Sequence, residues 1–309
     1  MYKGMRLSVC IPTRDREVLT SKAIESVIKT SKCFDDLRIY VFDNLSNPSP
    51  SRIQLFSKLL SDGKIQYYSY DSMESLQKCF GKAYIFKRFI QMMKTEHELR
   101  KYTDKENQLE DFYLLLDSDF ILGEGWPDFF VRANRKLRDL EPNLHYFVKY
   151  IGGVPKSSRE HPVTRTHILK TKDGREFKVM CAVFGGGSGF WLMSYDQLCK
   201  LEWPTQLLMN TYKQYKRHDT SSWALIHNKF KGIYTRYVAA VMPLDSENPL
   251  VLHMGEVLKT SMCNVLTRQG PAAYRRMKQN FSLKELELKD MSAKEIYDKY
   301  KMLDSATIW

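Results

Sequence analysis

Hydrophobic and polar positions follow two rhythms along the first 130 residues. Leu7–Pro12 is a short apolar run closed by proline, which predicts a buried strand. Leu19, Ala23, Ile24, Val27 and Ile28 then recur at helical spacing. Leu37–Phe42 predicts a second strand, and the turn formers of Asp43–Pro50 predict a loop after it. Ile53–Leu60 reads as helix and Lys64–Tyr70 as a third strand. Gln77–Met93 predicts a helix with Ala83, Phe86, Phe89, Ile90 and Met93 on one face, and Phe112–Leu116 is apolar throughout, as a buried strand is. Strands alternating with helices in this order predict an α/β fold with a mostly parallel sheet and crossover helices.

The charged stretch Thr95–Asp111 reads as a surface insertion before the fourth strand. Beyond it the pattern is less regular. Tyr146–Ile151 and Phe177–Phe184 read as strands, with the basic stretch Pro155–Arg175 between them as a long loop or hairpin. Gly185–Gly189 predicts a flexible turn into Phe190–Met193, followed by a helix from about Tyr195. Ser222–Phe230 reads as helix, with Gly232 as its stop, and Tyr237–Met242 as a late strand. Two S-x-x-E capping boxes, Ser282 to Glu285 and Ser292 to Glu295, predict a helical tail. The expected division is a main domain over 1–270, in halves 1–130 and 131–270, and a helical extension over 271–309.

Composition narrows the class. With 309 residues and 43% hydrophobic positions the chain is long and apolar enough to build a sizeable core, which excludes a disordered chain. No apolar run approaches the ~20 residues that span a bilayer, and Leu7–Pro12 is too short for a signal-peptide core. Six cysteines without a CxxC pair read as reduced thiols, hence an expected cytoplasmic location. The 48 Lys and Arg against 36 Asp and Glu leave a net charge of +12, which points to a polyanionic partner without naming it.

The candidate chemistry sits at strand ends. Asp117-Ser-Asp119 follows Phe112–Leu116 directly, so two carboxylates converge at the carboxyl edge of the sheet, where open α/β sheets bind ligands. Oxygen ligands of this kind suit Mg²⁺ or Mn²⁺. A bare D-x-D can also simply end a strand in solvent. Asp43 ends the second strand at the same edge, either as an Asx-turn residue or as an acceptor for a base N–H or a ribose hydroxyl. Pro12-Thr13-Arg14-Asp15-Arg16 joins the first strand to its helix, where Thr13 can meet a nucleotide and Arg16 can orient a carboxylate or phosphate; ordinary capping is the plainer alternative.

Taken in order, strand–Pro-Thr-x-x-Arg–helix, strand–Asp43–Asn44 and strand–Asp117-x-Asp119, with Gly125-Trp126 after it, resemble the GT-A nucleotide-diphospho-sugar transferases, and among them the family 2 glycosyltransferases. Asp15 stands where that family usually has Asn. The likeness spans about residues 6–130, is looser over 180–260 and is absent from the tail. It implies a Rossmann-like GT-A fold, a nucleotide-diphosphate sugar donor (foremost a UDP-sugar) and a Mn²⁺ or Mg²⁺ cofactor. It makes 1–130 the nucleotide-sugar half, with Pro12, Thr13, Arg16, Asp43 and Asp117 on the donor, and 131–270 the acceptor half. It implies Asp117, Asp119 and His253 as metal ligands, Gly187 in the loop beside the donor sugar, and Trp191 as an aromatic face at the site. His218-Asp219 resembles the family's Glu-Asp pair, with His in place of Glu, which makes Asp219 the base that deprotonates the acceptor hydroxyl. Competing explanations are a plain turn with Trp191 in the core, a helix N-cap for Asp219 and a structural His253. The implied reaction is a direct displacement with inversion, a retaining outcome staying open.

The charge excess bears on the acceptor. Windows 145–180, 211–237 and 257–280 each carry a net +5, so the rest of the chain nets −3, and the surplus lies in the acceptor half. Tyr212, Tyr215, Trp223, Tyr234, Tyr237 and Tyr274 are interleaved with it. Basic and aromatic residues together suit a nucleic-acid backbone. A DNA acceptor needs a hydroxyl on a base, which the hydroxymethylated pyrimidines of phage DNA offer. Contact with a membrane surface or an anionic glycan, as for enzymes acting on lipid-linked sugars, and incidental surface charge are the alternatives. Two other classes remain: a sugar-nucleotide pyrophosphorylase, disfavoured by the absence of glycine from Pro12–Arg16, and a non-catalytic nucleic-acid-binding protein on the same scaffold. The sequence does not specify an oligomeric state.

Overall fold

The computed structural model describes residues 4–44, 49–70, 82–103, 109–140, 144–149, 163–170, 174, 176–182, 189–200, 237–243, 250–258 and 283–306. The fold is α/β. A nine-stranded sheet runs in the order β3-β2-β1-β4-β9-β6-β10-β8-β7. Its strands are β1 (Met5–Thr13), β2 (Asp36–Asn44), β3 (Gln66–Tyr70), β4 (Glu110–Leu116), β6 (Leu144–Lys149), β7 (Val163–Lys170), β8 (Glu176–Ala182), β9 (Phe190–Ser194) and β10 (Tyr237–Pro243). β3, β2, β1 and β4 are mutually parallel, as the sequence pattern predicts. β9 enters antiparallel between β4 and β6, and β8 pairs antiparallel with both β10 and β7. A second, two-stranded sheet pairs β5 (Phe120–Leu122) with β11 (Val251–His253).

The period-two alternation of strand side chains divides the core between two faces. Leu7, Val9, Ile11, Ile39, Val41, Leu114, Leu116 and Leu192 meet α1 (Glu17–Thr30), α2 (Pro50–Ser61) and α4 (Trp126–Leu140) on one face. Cys10, Tyr40, Phe42, Tyr113, Leu115, Trp191 and Met193 meet α3 (Lys82–Thr103) on the other. A sheet covered on both faces needs strands that are apolar throughout, which is why Phe112–Leu116 was legible as one. α2 begins at Pro50, with Ser49 Oγ accepting from the Arg52 N–H, so the predicted loop ends as a helix cap.

Two expectations change and one open alternative is settled. Thr95–Thr103 is not an insertion: α3 runs on to Thr103, and Glu110 and Asp111 already belong to β4. The last turns of α3 lack an apolar stripe because ion pairs support them. Glu96 pairs with Arg100 and with Arg38 of β2, while His97 and Arg100 reach Asp111 at 2.6 and 2.9 Å. Phe190–Met193 is a central strand rather than the exit of a turn, and all five residues of β9 are buried. Within Pro155–Arg175, β7 forms a hairpin arm against β8. The predicted helix at Ser222–Phe230 and the segment at 271–282 lie outside the described residues.

The short helices α5 (Tyr195–Lys200) and α6 (Met254–Val257) follow β9 and β11, and the tail then returns to the main body. α7 (Ala293–Ala306) starts at a complete capping box, with the Glu295 N–H donating to Ser292 Oγ at 3.2 Å and the Ser292 N–H to Glu295 Oε2 at 2.6 Å. Leu288, Ala293 and Ile296 then share an apolar cluster with Leu19, Ile121, Leu252 and Met254.

Candidate active site

The sequence-predicted donor residues gather at the carboxyl ends of β1, β2 and β4. Pro12 and Thr13 close β1, and Thr13 stands in register with Asp43 on β2. Thr20 donates its hydroxyl proton to the Arg16 carbonyl at 2.6 Å, so Thr13 is the donor in its 2.7 Å bond to Thr20. Asp15 follows with φ of 54°, a left-handed conformation. Asp and Asn are the side-chain-bearing residues that tolerate it best, which explains Asp here in the place of Asn.

Asp43 is only 2% exposed and is fixed by two residues that the sequence pattern did not single out. Tyr67 donates to its Oδ2 at 2.6 Å, and Arg52 Nε lies 3.3 Å from the same oxygen. Burial, then the bond to Asp43, raises the Tyr67 phenol above its ordinary range, so it stays a donor. β3 supplies Tyr67 and the first turn of α2 supplies Arg52.

Asp117 and Asp119 take different positions after β4. The Asp117 N–H donates to the Gly189 carbonyl at 2.8 Å, and the Asp117 carbonyl receives the Phe120 N–H at 3.2 Å, which turns the chain into β5. Asp119 is buried, at 6% exposure. Its Oδ2 accepts from Arg16 Nη1 at 2.7 Å and lies 3.4 Å from His253 Nε2. Burial would push this carboxyl up, but its interactions with His253 and Arg16 outweigh burial and hold it well below the usual carboxylate range. β11 brings His253 in by pairing with β5, where His253 is opposite Phe120 and stacks on its ring at 4.5 Å. His253 Nδ1 is buried with no hydrogen-bond partner among the described residues.

Two further residues complete the arrangement. A Cβ at Gly255 would lie 2.4 Å from Asp119 Oδ2 and 3.0 Å from His253 Nε2, so glycine keeps the space beside both groups open. Glu285, from the tail, accepts from Arg16 Nε at 3.0 Å across 269 positions of sequence. The S-x-x-E pattern drew attention to Glu285 as a capping residue; Ser282 lies outside the described residues, and the Glu285 carboxylate is engaged by Arg16. Burial pushes the Glu285 carboxyl up, and Arg16 offsets that only in part. A cleft of about 580 Å³ opens beside this group, lined by Asp15, Lys22, Lys58, Glu285 and Lys289 among others.

Trp191 requires a correction. It is fully buried in β9 against Phe86, so its ring is a core element and is not presented as a stacking face. Gly187 and Asp219 lie outside the described residues. Among the described residues no three His, Cys, Asp or Glu side chains form a metal-holding group; Asp119 and His253 lie 3.4 Å apart. No described helix is long and apolar enough to cross a membrane.

No family model matches the chain, and no curated protein matches it. Solved structures do. Residues 1–349 of S. aureus TarS share 14% identity, with 97% of this chain and 80% of that chain covered and a TM-score of 0.42. The mannosyltransferase PcManGT from Pyrobaculum calidifontis, solved with GDP-Man and Mn²⁺, shares 10% identity over 99% of this chain and 74% of that one, with a TM-score of 0.43. GalNAc-T7, solved with UDP, GalNAc and Mn²⁺, shares 13% identity over 77% and 42% of the two chains, also with a TM-score of 0.43. The chain spans 44% of the longer TarS chain that it also matches.

Proposed function

We propose that this chain is a GT-A glycosyltransferase that moves a sugar from a nucleoside-diphosphate sugar to a hydroxyl acceptor. The observation that carries the reading is Asp119: a buried, ionised carboxylate at the ligand-binding edge of the sheet, paired with His253 and Arg16 beside the side-chain-free Gly255. Thr13 ends the neighbouring strand β1, and Asp43 stands at the end of the next one, β2, at the same edge.

In this proposal Asp43, oriented by Tyr67 and Arg52, accepts hydrogen bonds from the nucleoside. Asp119 and His253 offer a carboxylate oxygen and an imidazole nitrogen, a donor set that fits Mn²⁺ or Mg²⁺ with the remaining positions left to phosphate oxygens and water. When bound, such a cation neutralises the negative charge that gathers on the departing diphosphate. Asp117, the other carboxylate of the D-x-D pair, is proposed as a further oxygen donor to that cation. Asp219 takes the proton of the incoming hydroxyl, whose oxygen forms the new bond to the anomeric carbon as the bond to diphosphate breaks. Attack from the opposite face inverts the configuration.

For the acceptor we propose a hydroxymethylated pyrimidine in phage DNA. Support comes from the +5 windows, which all lie after residue 144 in the sequence. The test has two stages. Thermal unfolding with UDP, GDP and CMP, with and without Mn²⁺, is expected to show stabilisation by one nucleotide that requires the metal. A transfer screen of nucleotide sugars against hydroxymethylated duplex DNA, lipid-linked sugars and glycans then identifies the acceptor. Asp119→Asn is expected to lower transfer by at least about 10²-fold with the fold retained. Failure of every nucleotide to stabilise the protein refutes the enzyme reading, and transfer to lipid or glycan alone refutes the DNA acceptor.

A further inference from the structure

We infer that Glu285, delivered by the C-terminal segment, is a positioning residue of the donor site: by sharing Arg16 it keeps the Asp119 carboxylate open to a divalent cation. The inference rests on the donor-site reading above. Arg16 lies between two buried carboxylates. Its Nη1 donates to Asp119 at 2.7 Å, whereas Nε and Nη2 both face Glu285 Oε1, at 3.0 and 2.9 Å. A guanidinium can grip one carboxylate with two parallel bonds. Here Glu285 takes two of these contacts and Asp119 one. Without the Glu285 charge, the whole of Arg16 falls to Asp119, and a cation must displace it.

The charge balance acts in the same direction. Two carboxylates against one guanidinium leave the group net negative and attractive to a cation, whereas one against one cancels. Packing holds Glu285 at this spot. Leu288, Ala293 and Ile296 of the tail pack with Leu252 and Met254, which flank His253. The Met254 N–H in turn donates to the Asp119 carbonyl at 2.8 Å. The tail therefore docks on the same turn that carries the candidate ligands.

The test measures Mn²⁺ binding from the electron spin resonance signal of free Mn²⁺, using the full chain with UDP or GDP, for wild type, Glu285→Gln and Asp119→Asn. Glutamine keeps the size and an acceptor oxygen but removes the charge. Glu285→Gln is expected to weaken Mn²⁺ binding on the order of tenfold, and Asp119→Asn to abolish it. A purely structural Glu285 predicts a lower unfolding temperature with unchanged Mn²⁺ affinity, and wild-type affinity in folded Glu285→Gln overturns the inference. Absence of Mn²⁺ binding in wild type refutes the donor-site reading itself and the inference with it, which separates the two failures. If Glu285→Gln does not fold, wild type alone decides. Coupling is reciprocal, so Mn²⁺ with nucleotide must slow amide hydrogen exchange across 283–306, and unchanged exchange there overturns the inference.

Discussion

Gly255 shows how little space the candidate site leaves at the scale of one residue. The atoms that a Cβ would meet belong to Asp119, pinned by Arg16, and to His253, stacked on Phe120. Neither is the loose end of a flexible side chain, so Gly255→Ala must displace one of them. The expected outcome is a folded protein that loses most of its Mn²⁺-dependent stabilisation by nucleotide, read by thermal unfolding with and without the metal. Full retention of that response would remove Asp119 and His253 from the metal assignment. Residues such as Asp43 and Asp119 were legible in the sequence because each ends an apolar run, and a strand end in an open α/β sheet is where ligands bind. Arg52, Tyr67 and Glu285 carried no such mark. They reach the site through tertiary packing, Glu285 over 269 positions, and local pattern holds no record of contacts at that separation.

Elements were legible where burial on both faces or a full cap left an unambiguous pattern. β1, β2 and β4 read correctly from their apolar runs, and the box at Ser292 and Glu295 formed as its spacing predicts. The end of α3 did not read correctly, because periodicity detects apolar stripes and that segment is held by Glu96, His97 and Arg100 reaching charges on β2 and β4. β9 was missed for the opposite reason. A buried five-residue run cannot be told from a loop exit by period alone when glycines precede it. The capping box sets the start of α7, the helix that carries Ile296 into the apolar cluster beside the candidate site. Ser292→Ala is expected to cost about 1 kcal/mol in chemical denaturation, since it removes the acceptor for the Glu295 N–H. Because α7 anchors the segment that holds Glu285, the same variant should also weaken Mn²⁺ binding slightly, and a larger loss of affinity than of stability would mean that the tail acts on the site by more than docking.

At the scale of the whole molecule the net charge is unevenly divided. Three windows carry +5 each against −3 for everything else, and most of their residues lie outside those the structure describes, so the acceptor question is one of charge rather than of geometry. A polyanion bound through lysine and arginine releases condensed counterions, and log K then falls linearly with log salt, with a slope of roughly −0.9 per phosphate neutralised on duplex DNA. One window engaged in full gives a slope of roughly −4 to −5, whereas two give roughly −9. A scattered basic surface that meets DNA only incidentally gives a shallow slope. Fluorescence anisotropy of a labelled duplex between low and physiological salt measures this directly, with hydroxymethylated and unmodified cytosine compared at each point. The expected result is a slope of about −4 or steeper for both duplexes, because phosphate contacts carry no sequence information. Discrimination between them should appear in sugar transfer rather than in binding, since the hydroxyl matters only where the new bond forms. A slope near zero, together with salt-sensitive binding to vesicles of anionic lipid, would move the acceptor from nucleic acid to a membrane-borne sugar and leave the donor site untouched.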